Sequence, residues 1–203
     1  MRKQVCVIIP TYNNAQTLLG VIEEVKSYTE HIIVVNDGST DDTAHLLETC
    51  PIPLILVTHT RNRGKGAALR SGFQAAIQHG FDYAITIDSD GQHYPSGLPR
   101  FLAAIRKNPN AIIVGNRFDP SFFTEKSRQN MNGGSKFANR FSNFWFLLQT
   151  GMRLDDTQTG YRAYPLNRLR GLSFLTSRYE AELELLVFAA WSGVKLVSIP
   201  IRV

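Results

Sequence analysis

In the stretch DYAITIDSDGQHYP, residues 82 to 95, an apolar run ends in two carboxylates one residue apart, Asp88 and Asp90. The β-branched and aromatic residues of YAITID predict a buried strand, and SDGQHYP after it carries the Gly and Pro of a loop. Both carboxylates therefore fall at the carboxyl end of a strand, where open α/β sheets hold their ligands. Neighbouring carboxylates repel unless a positive charge lies between them, and a hard divalent cation takes oxygen ligands of this kind. An acidic surface turn would account for one such pair by itself. A second acidic position has the same setting: in HIIVVNDGSTDDT, Asp37 ends an apolar run, and Asp41 or Asp42 can cap the helix that follows. Asp37 is not needed for that cap and is free to accept hydrogen bonds from a base or a ribose. In NRGKGAALRSG, Gly64, Lys65 and Gly66 stand at a helix start, where backbone amides and a cation suit a nucleotide. This stretch is neither a G-x-x-x-x-G-K-[ST] loop nor a G-x-G-x-x-G fingerprint, which argues against a P-loop enzyme and a nicotinamide dehydrogenase.

The elements that must position these groups alternate along the chain. Strand-type runs occur at VCVIIP, HIIVVND, LILVTHT, YAITID and AIIVGN, separated by helix-length segments such as residues 15 to 28 and 64 to 79. That alternation predicts an α/β architecture with a mainly parallel central sheet and helices on both faces. Beyond Arg117 the pattern changes to a basic irregular stretch, FDPSFFTEKSRQN, then a helix over residues 131 to 149, a second helix at YEAELELLVFAAW and a last strand in KLVSIPIRV. With no repeat and no linker, residues 1–203 are expected to form one domain, with residues 1–117 binding a nucleotide and residues 118–203 receiving something else.

Composition narrows the partners. The chain has 203 residues, 43% hydrophobic and 19% charged, enough for one sizeable core. No stretch approaches a membrane span, and the N-terminal run reaches Pro10 too soon for a signal peptide, so a cytoplasmic chain is expected. Cys6 and Cys50 show no disulfide or metal spacing and read as buried thiols. The net charge of +5 suits an anionic partner. Between residues 100 and 140, eight Lys and Arg face only Asp119 and Glu125. Zinc-finger spacing and RNA-binding aromatic motifs are absent, so no nucleic-acid partner is expected; a phosphorylated ligand or an anionic membrane surface fits better.

The segments VIIPTYNN, VVNDGSTDDT, NRGKGAALRSG, TIDSDGQHYP, VGNRF, DDTQTGYRAY and RYEAELELL occur in an order that resembles family 2 glycosyltransferases of the GT-A (nucleotide-diphospho-sugar transferase) fold, in particular the dolichol- or polyprenol-phosphate mannosyl- and glucosyltransferases. The likeness spans nearly the whole chain. It implies a UDP- or GDP-linked sugar donor, Mg²⁺ or Mn²⁺, inversion at the anomeric carbon and a lipid-phosphate acceptor reached from the cytoplasmic face of a membrane. By position, Pro10, Tyr12 and Asn13 match the loop that holds the base, although the family often has an acidic residue where Asn13 stands. Asp37 matches the residue that reads the base, and Lys65 lies in the segment that closes that pocket. Asp88 matches the carboxylate near ribose and metal, with Ser89 beside it on the donor side. Asp90 matches the direct metal ligand, Gln92 an oxygen that joins the metal shell, and Arg117 a cation near the donor diphosphate.

On the acceptor side, the resemblance matches Asp156 to an acidic residue near the acceptor, either a general base or a turn residue, while Arg128, Arg140 and Arg162 are candidates to hold a phosphate. Phe137, Phe141, Phe144, Trp145 and Leu148 fall near one helical face beside Lys136 and Arg140, a pattern open to two readings, a core stripe or a membrane-surface helix. Glu182 and Glu184 read as a charged helix face, with the alternative that one of them orients the acceptor. Relatives of this group commonly continue past IPIRV into a basic segment that closes over the diphosphate, so a short member, a following segment and a lid from a partner chain all stay open. Rival functions are a family 2 transferase acting on a sugar hydroxyl in cell-surface polysaccharide synthesis, a sugar-phosphate nucleotidyltransferase, and a non-catalytic nucleotide-sugar-binding module. IIPTYNN lacks the Gly-rich loop expected of a nucleotidyltransferase.

Overall fold

The run VCVIIPT is apolar without alternation, as a strand covered on both faces requires. It forms β1 (Val5–Thr11), with only Val5 less than fully buried. The computed structural model describes residues 4–122, 133–169, 176 and 180–202. After β1 the order is α1 (Leu18–Lys26), β2 (Ile32–Asn36), α2 (Thr43–Glu48), β3 (Ile55–Thr58), α3 (Lys65–Gln78) and β4 (Tyr83–Thr86). Then come α4 (Leu98–Lys107), β5 (Ile112–Asn116), α5 (Gly133–Thr150), β6 (Arg162–Pro165), the short α6 (Leu166–Leu169), α7 (Glu180–Trp191) and β7 (Leu196–Pro200). The helices and strands expected from the sequence are present, with ends trimmed by a few residues.

The strands form one sheet in the order β3-β2-β1-β4-β6-β5-β7. All neighbours are parallel except β6, which runs antiparallel between β4 and β5. RAYP was not expected as a strand, because four residues without an apolar alternation carry little signal. Successive residues of β1 point to opposite faces. Cys6 and Ile8 join a core with Phe73 of α3, Phe146 of α5 and Leu185 of α7. Val7 and Ile9 join the other with Ile22 of α1, Phe101 of α4 and Tyr161. Helices therefore cover both faces, as the continuous apolar strands require.

The register brings the chemistry together. Thr11 of β1 pairs with Asn36 of β2, and Ile8 pairs with Thr86 of β4, so the three strands end along one edge. The loops leaving that edge carry Tyr12 to Asn14, Asp37, and Asp88 to Asp90.

Candidate active site

A cleft of about 360 Å³ opens at this edge. It is lined by seven of the expected donor and metal residues, Pro10, Tyr12, Asp37, Lys65, Asp88, Ser89 and Asp90, and also by Asn14 and Asn62. Asn13 is not among the lining residues. It adopts a left-handed conformation (φ 53°), which Asn tolerates, and fastens the loop after β1 to the loop after β2. Its backbone N–H donates to Ser39 Oγ (3.0 Å) and its Oδ1 accepts from Thr40 N–H (2.8 Å). Asn14 Nδ2 donates to Ser89 Oγ (2.9 Å) and Thr17 Oγ1 to the Ser89 carbonyl (2.6 Å), tying the loop after β4 to the same wall.

Asp37 is buried at the floor of the cleft. Its Oδ1 pairs with His59 Nδ1 (2.6 Å) and accepts from Arg63 N–H (3.0 Å), while Oδ2 accepts from Gly64 N–H (2.8 Å). His59 Nε2 in turn meets Ser71 Oγ (2.8 Å). Asp37 thus holds the loop into α3 as well as facing the cleft. Gly38 makes the close approach of that loop possible: with φ at +70°, a Cβ there would lie 2.5 Å from Arg61 Cα. His59 was missed in the sequence, where one His after a strand carries no pattern. Asp37→Ala is expected to raise donor KM on the order of tenfold with kcat nearly unchanged, because it loosens the pocket and not the reacting centre. Steady-state kinetics over donor concentration checks this, and a fall in kcat alone would remove Asp37 from the donor pocket.

Deeper in, Lys65 Nζ lies 2.6 Å from Asp88 Oδ1 and 2.8 Å from Glu182 Oε2. Burial opposes the charge on Asp88, but the surrounding cations, Lys65 foremost, more than offset it and hold the carboxyl below its usual value. Burial pushes His93 the other way, below the ordinary imidazole value against the pull of Asp88, so a neutral ring packs on Tyr161 at 5.6 Å. Glu182 corrects an expectation: it is buried, 6% exposed, against Lys65 at the edge of the cleft's lining instead of on a charged helix face. Its Oε1 has no hydrogen-bond partner among the described residues. Glu184 accepts from Thr176 N–H (2.9 Å) and is likewise no free surface charge. Gly160 backs the Asp88 carboxylate so closely that a Cβ would lie 2.8 Å from Asp88 Cγ.

Asp90 is exposed and accepts from Gln92 N–H (3.0 Å), and the Gln92 side chain is exposed beside it. Among the described residues no three His, Cys, Asp or Glu side chains form a complete metal cage. Two carboxylates on one cleft nevertheless fit a Mg²⁺-type site, which is ordinarily completed by substrate phosphates and water. Asp88, Asp90 and Gln92 have the oxygen chemistry for such an ion.

The acceptor-side expectations change most. Asp156 is 1% exposed, and its carboxylate is engaged by Arg117, with Nε to Oδ2 at 2.7 Å and Nη2 to Oδ1 at 2.9 Å. It also accepts from the Arg117 N–H at 3.1 Å. A fork of this kind engages both oxygens, so Asp156 holds Arg117 in a fixed orientation. Arg162 is 0% exposed and donates to Glu182 O (2.7 Å) and Thr157 O (2.7 Å). It is a buried cation that joins β6 to α7, which corrects its expected role of holding an acceptor. Arg140 is exposed on α5, and Arg128 and the side chain of Lys136 lie outside the described residues.

The stripe on α5 faces outward: Phe137 is 73% exposed, Leu148 63%, Phe144 58% and Phe141 57%. Its opposite, polar face holds the loop of Asp156. Asn139 Nδ2 and Asn143 Nδ2 donate to Asp155 O (3.0 and 2.8 Å), and Asn143 Oδ1 accepts from Thr157 N–H (3.1 Å). No described helix is long and apolar enough to cross a membrane.

A family model described as Glycosyl transferase family 2 matches residues 6–170. The UDP-N-acetylglucosamine--dolichyl-phosphate N-acetylglucosaminyltransferase of Methanococcus voltae is 28% identical, over 98% of this chain and 85% of that protein. The polyprenol monophosphomannose synthase of Mycolicibacterium smegmatis is 31% identical, over 96% of this chain and 75% of that protein. In structure, the chain is similar to glucosyl-3-phosphoglycerate synthase from Mycobacterium tuberculosis, solved with Mn²⁺, UDP and phosphoglyceric acid. The TM-score is 0.72 at 17% identity, covering 99% of this chain and 70% of that one. At that identity the likeness establishes the fold, which is of the GT-A type.

Proposed function

The chain belongs to glycosyl transferase family 2, and on that premise we propose that it transfers a sugar from a nucleotide diphosphate to a polyprenyl or dolichyl phosphate at a membrane surface, with inversion. The observation that carries this reading is α5, which turns its aromatic face to the outside while its polar face grips the loop of Asp156. A lipid-compatible surface and the anchor of the Asp156–Arg117 pair are thereby built on one helix. The relatives that act on dolichyl and polyprenyl substrates support the same acceptor class.

Asp37 and the loop it holds would take the base, and Lys65 the negative charge of the diphosphate. Asp88, Asp90 and Gln92 would hold Mg²⁺ or Mn²⁺, whose chemistry there is Lewis-acid neutralisation of the departing diphosphate. A phosphate acceptor is already anionic and needs no proton removed. An Asp156 committed to Arg117 agrees with that, since it leaves Arg117 oriented and the site without a base at that position. The acceptor oxygen attacks the anomeric carbon from the face opposite the diphosphate, and the new C–O bond forms as the sugar–diphosphate bond breaks.

One observation favours a second reading. Glu182 Oε1 is buried beside Lys65 with no partner among the described residues, and a carboxylate so placed could accept a proton from a sugar hydroxyl. Transfer from UDP- and GDP-sugars to polyprenyl phosphate in vesicles and to free sugars separates the two. Product on the lipid is expected; transfer only to hydroxyl acceptors would overturn the lipid assignment. The double variant Phe141→Ser, Trp145→Ser is expected to bind anionic liposomes on the order of tenfold more weakly at an unchanged melting temperature. Vesicle co-sedimentation measures the first quantity and thermal denaturation the second. Cooperative loss of structure would return the stripe to the core.

A further inference from the structure

One ammonium is shared between two carboxylates from distant parts of the chain. Lys65 Nζ at the start of α3 reaches Asp88 after β4 at 2.6 Å and Glu182 in α7 at 2.8 Å, and only 16% of the Lys65 side chain is exposed. The carboxylate oxygen it engages belongs to one of the three residues assigned to hold the divalent ion. A cation seated on Asp88 Oδ1 repels a second cation and occupies a lone pair that the ion would use. Glu182 offers the ammonium a second partner, so Lys65 can release Asp88 without losing its counter-charge.

We propose that Lys65 is an internal counter-ion that keeps Asp88 from taking a divalent cation until a nucleotide diphosphate arrives. The diphosphate brings fresh negative charge, Lys65 turns to it and to Glu182, and Asp88 is released to the ion. Ion and nucleotide then bind as a pair, each raising the affinity of the other by the same factor, as linkage requires. The enzyme would thereby avoid filling its metal site before the donor is present. This inference rests on the donor and metal reading above and adds the order in which that site fills.

The test is Mn²⁺ binding, followed through the electron paramagnetic resonance of free Mn²⁺, with no turnover involved. Wild type, Lys65→Met, Lys65→Arg and Glu182→Gln are each titrated alone, with UDP and with GDP. Wild type is expected to bind Mn²⁺ at least about tenfold more tightly with the matching nucleotide. Lys65→Met is expected to bind Mn²⁺ about tenfold more tightly than wild type without nucleotide, and to lose most of the nucleotide's effect. Lys65→Arg retains the charge and the low nucleotide-free affinity. Glu182→Gln leaves the ammonium to Asp88 alone and lowers nucleotide-free affinity further, so the sign test stands even if the methionine variant does not fold. Nucleotide-free affinity unchanged in both Lys65→Met and Glu182→Gln would overturn the proposal, with nucleotide-dependent Mn²⁺ binding in wild type still upholding the metal site. If no protein binds Mn²⁺ even with UDP or GDP bound, as seen by calorimetry, the metal reading falls and this proposal with it.

Discussion

Asp90→Asn is expected to lower sugar transfer on the order of 10³-fold while the protein keeps its melting temperature. A neutral amide is a poor ligand for a hard cation, and the Lewis-acid contribution to a leaving diphosphate amounts to several kcal/mol, with each 1.36 kcal/mol worth about tenfold in rate. Asp90 is exposed, and the hydrogen bond it accepts from Gln92 N–H can be kept by the amide oxygen of Asn. Transfer assays with Mg²⁺ and with Mn²⁺, set beside thermal denaturation, check both halves of the expectation. A folded variant that transfers sugar at the wild-type rate would end the assignment of Asp90 to the metal.

Gly160→Ala is expected to cost transfer on the order of 10²-fold, although residue 160 bears no chemistry of its own. The added Cβ would lie 2.8 Å from both Asp88 Cγ and Asp88 Oδ1, closer than real Cβ atoms come to their neighbours. Something must move, and Asp88 is a side chain where the flanking strand pairs are not. The carboxylate would leave Lys65 and turn away from the cleft. A displacement of about 1 Å at a reacting centre can cost 10²-fold. The loss should appear as weaker Mn²⁺ binding in the presence of nucleotide and as lower kcat, with a modest drop in melting temperature. Unchanged Mn²⁺ affinity in a folded Gly160→Ala protein would mean that Asp88 can shift freely and that its position is not set by this glycine.

Much of this site was legible because its signals are local. A strand run followed by Gly or Pro marks where a strand ends, and a carboxylate at that point is marked with it. Asp37, Asp88 and Asp90 were located in this way, and the parallel register of β1, β2 and β4 gathers them on one edge. Lys65 and Gly64 were legible as a helix start for the same reason. The errors all concern partners far away in sequence. Asp156 reads in the sequence as either a base near the acceptor or a turn residue, and neither reading carries its ion pair with Arg117, 39 residues away. Arg162 reads in the sequence as a candidate to hold an acceptor phosphate, yet it sits in the unforeseen strand β6, between carbonyls of Thr157 and Glu182.

The aromatic stripe of α5 marks the boundary between the two kinds of information. A helical period of apolar residues determines which side chains share a face, because that depends only on the 3.6-residue turn. It does not determine whether that face is buried, since burial depends on what else packs there. The chain by itself therefore determined the order of the strands and helices other than β6 and the short α6, the ends at which the carboxylates stand and the common face of Phe137, Phe141 and Phe144. Only the tertiary structure decided that this face is exposed, that Asn139 and Asn143 on the other side hold Asp155, and that Lys65 is shared between Asp88 and Glu182. Those outcomes turn on contacts between residues 12 to 117 positions apart, and no short stretch of sequence carries the geometry that closes them.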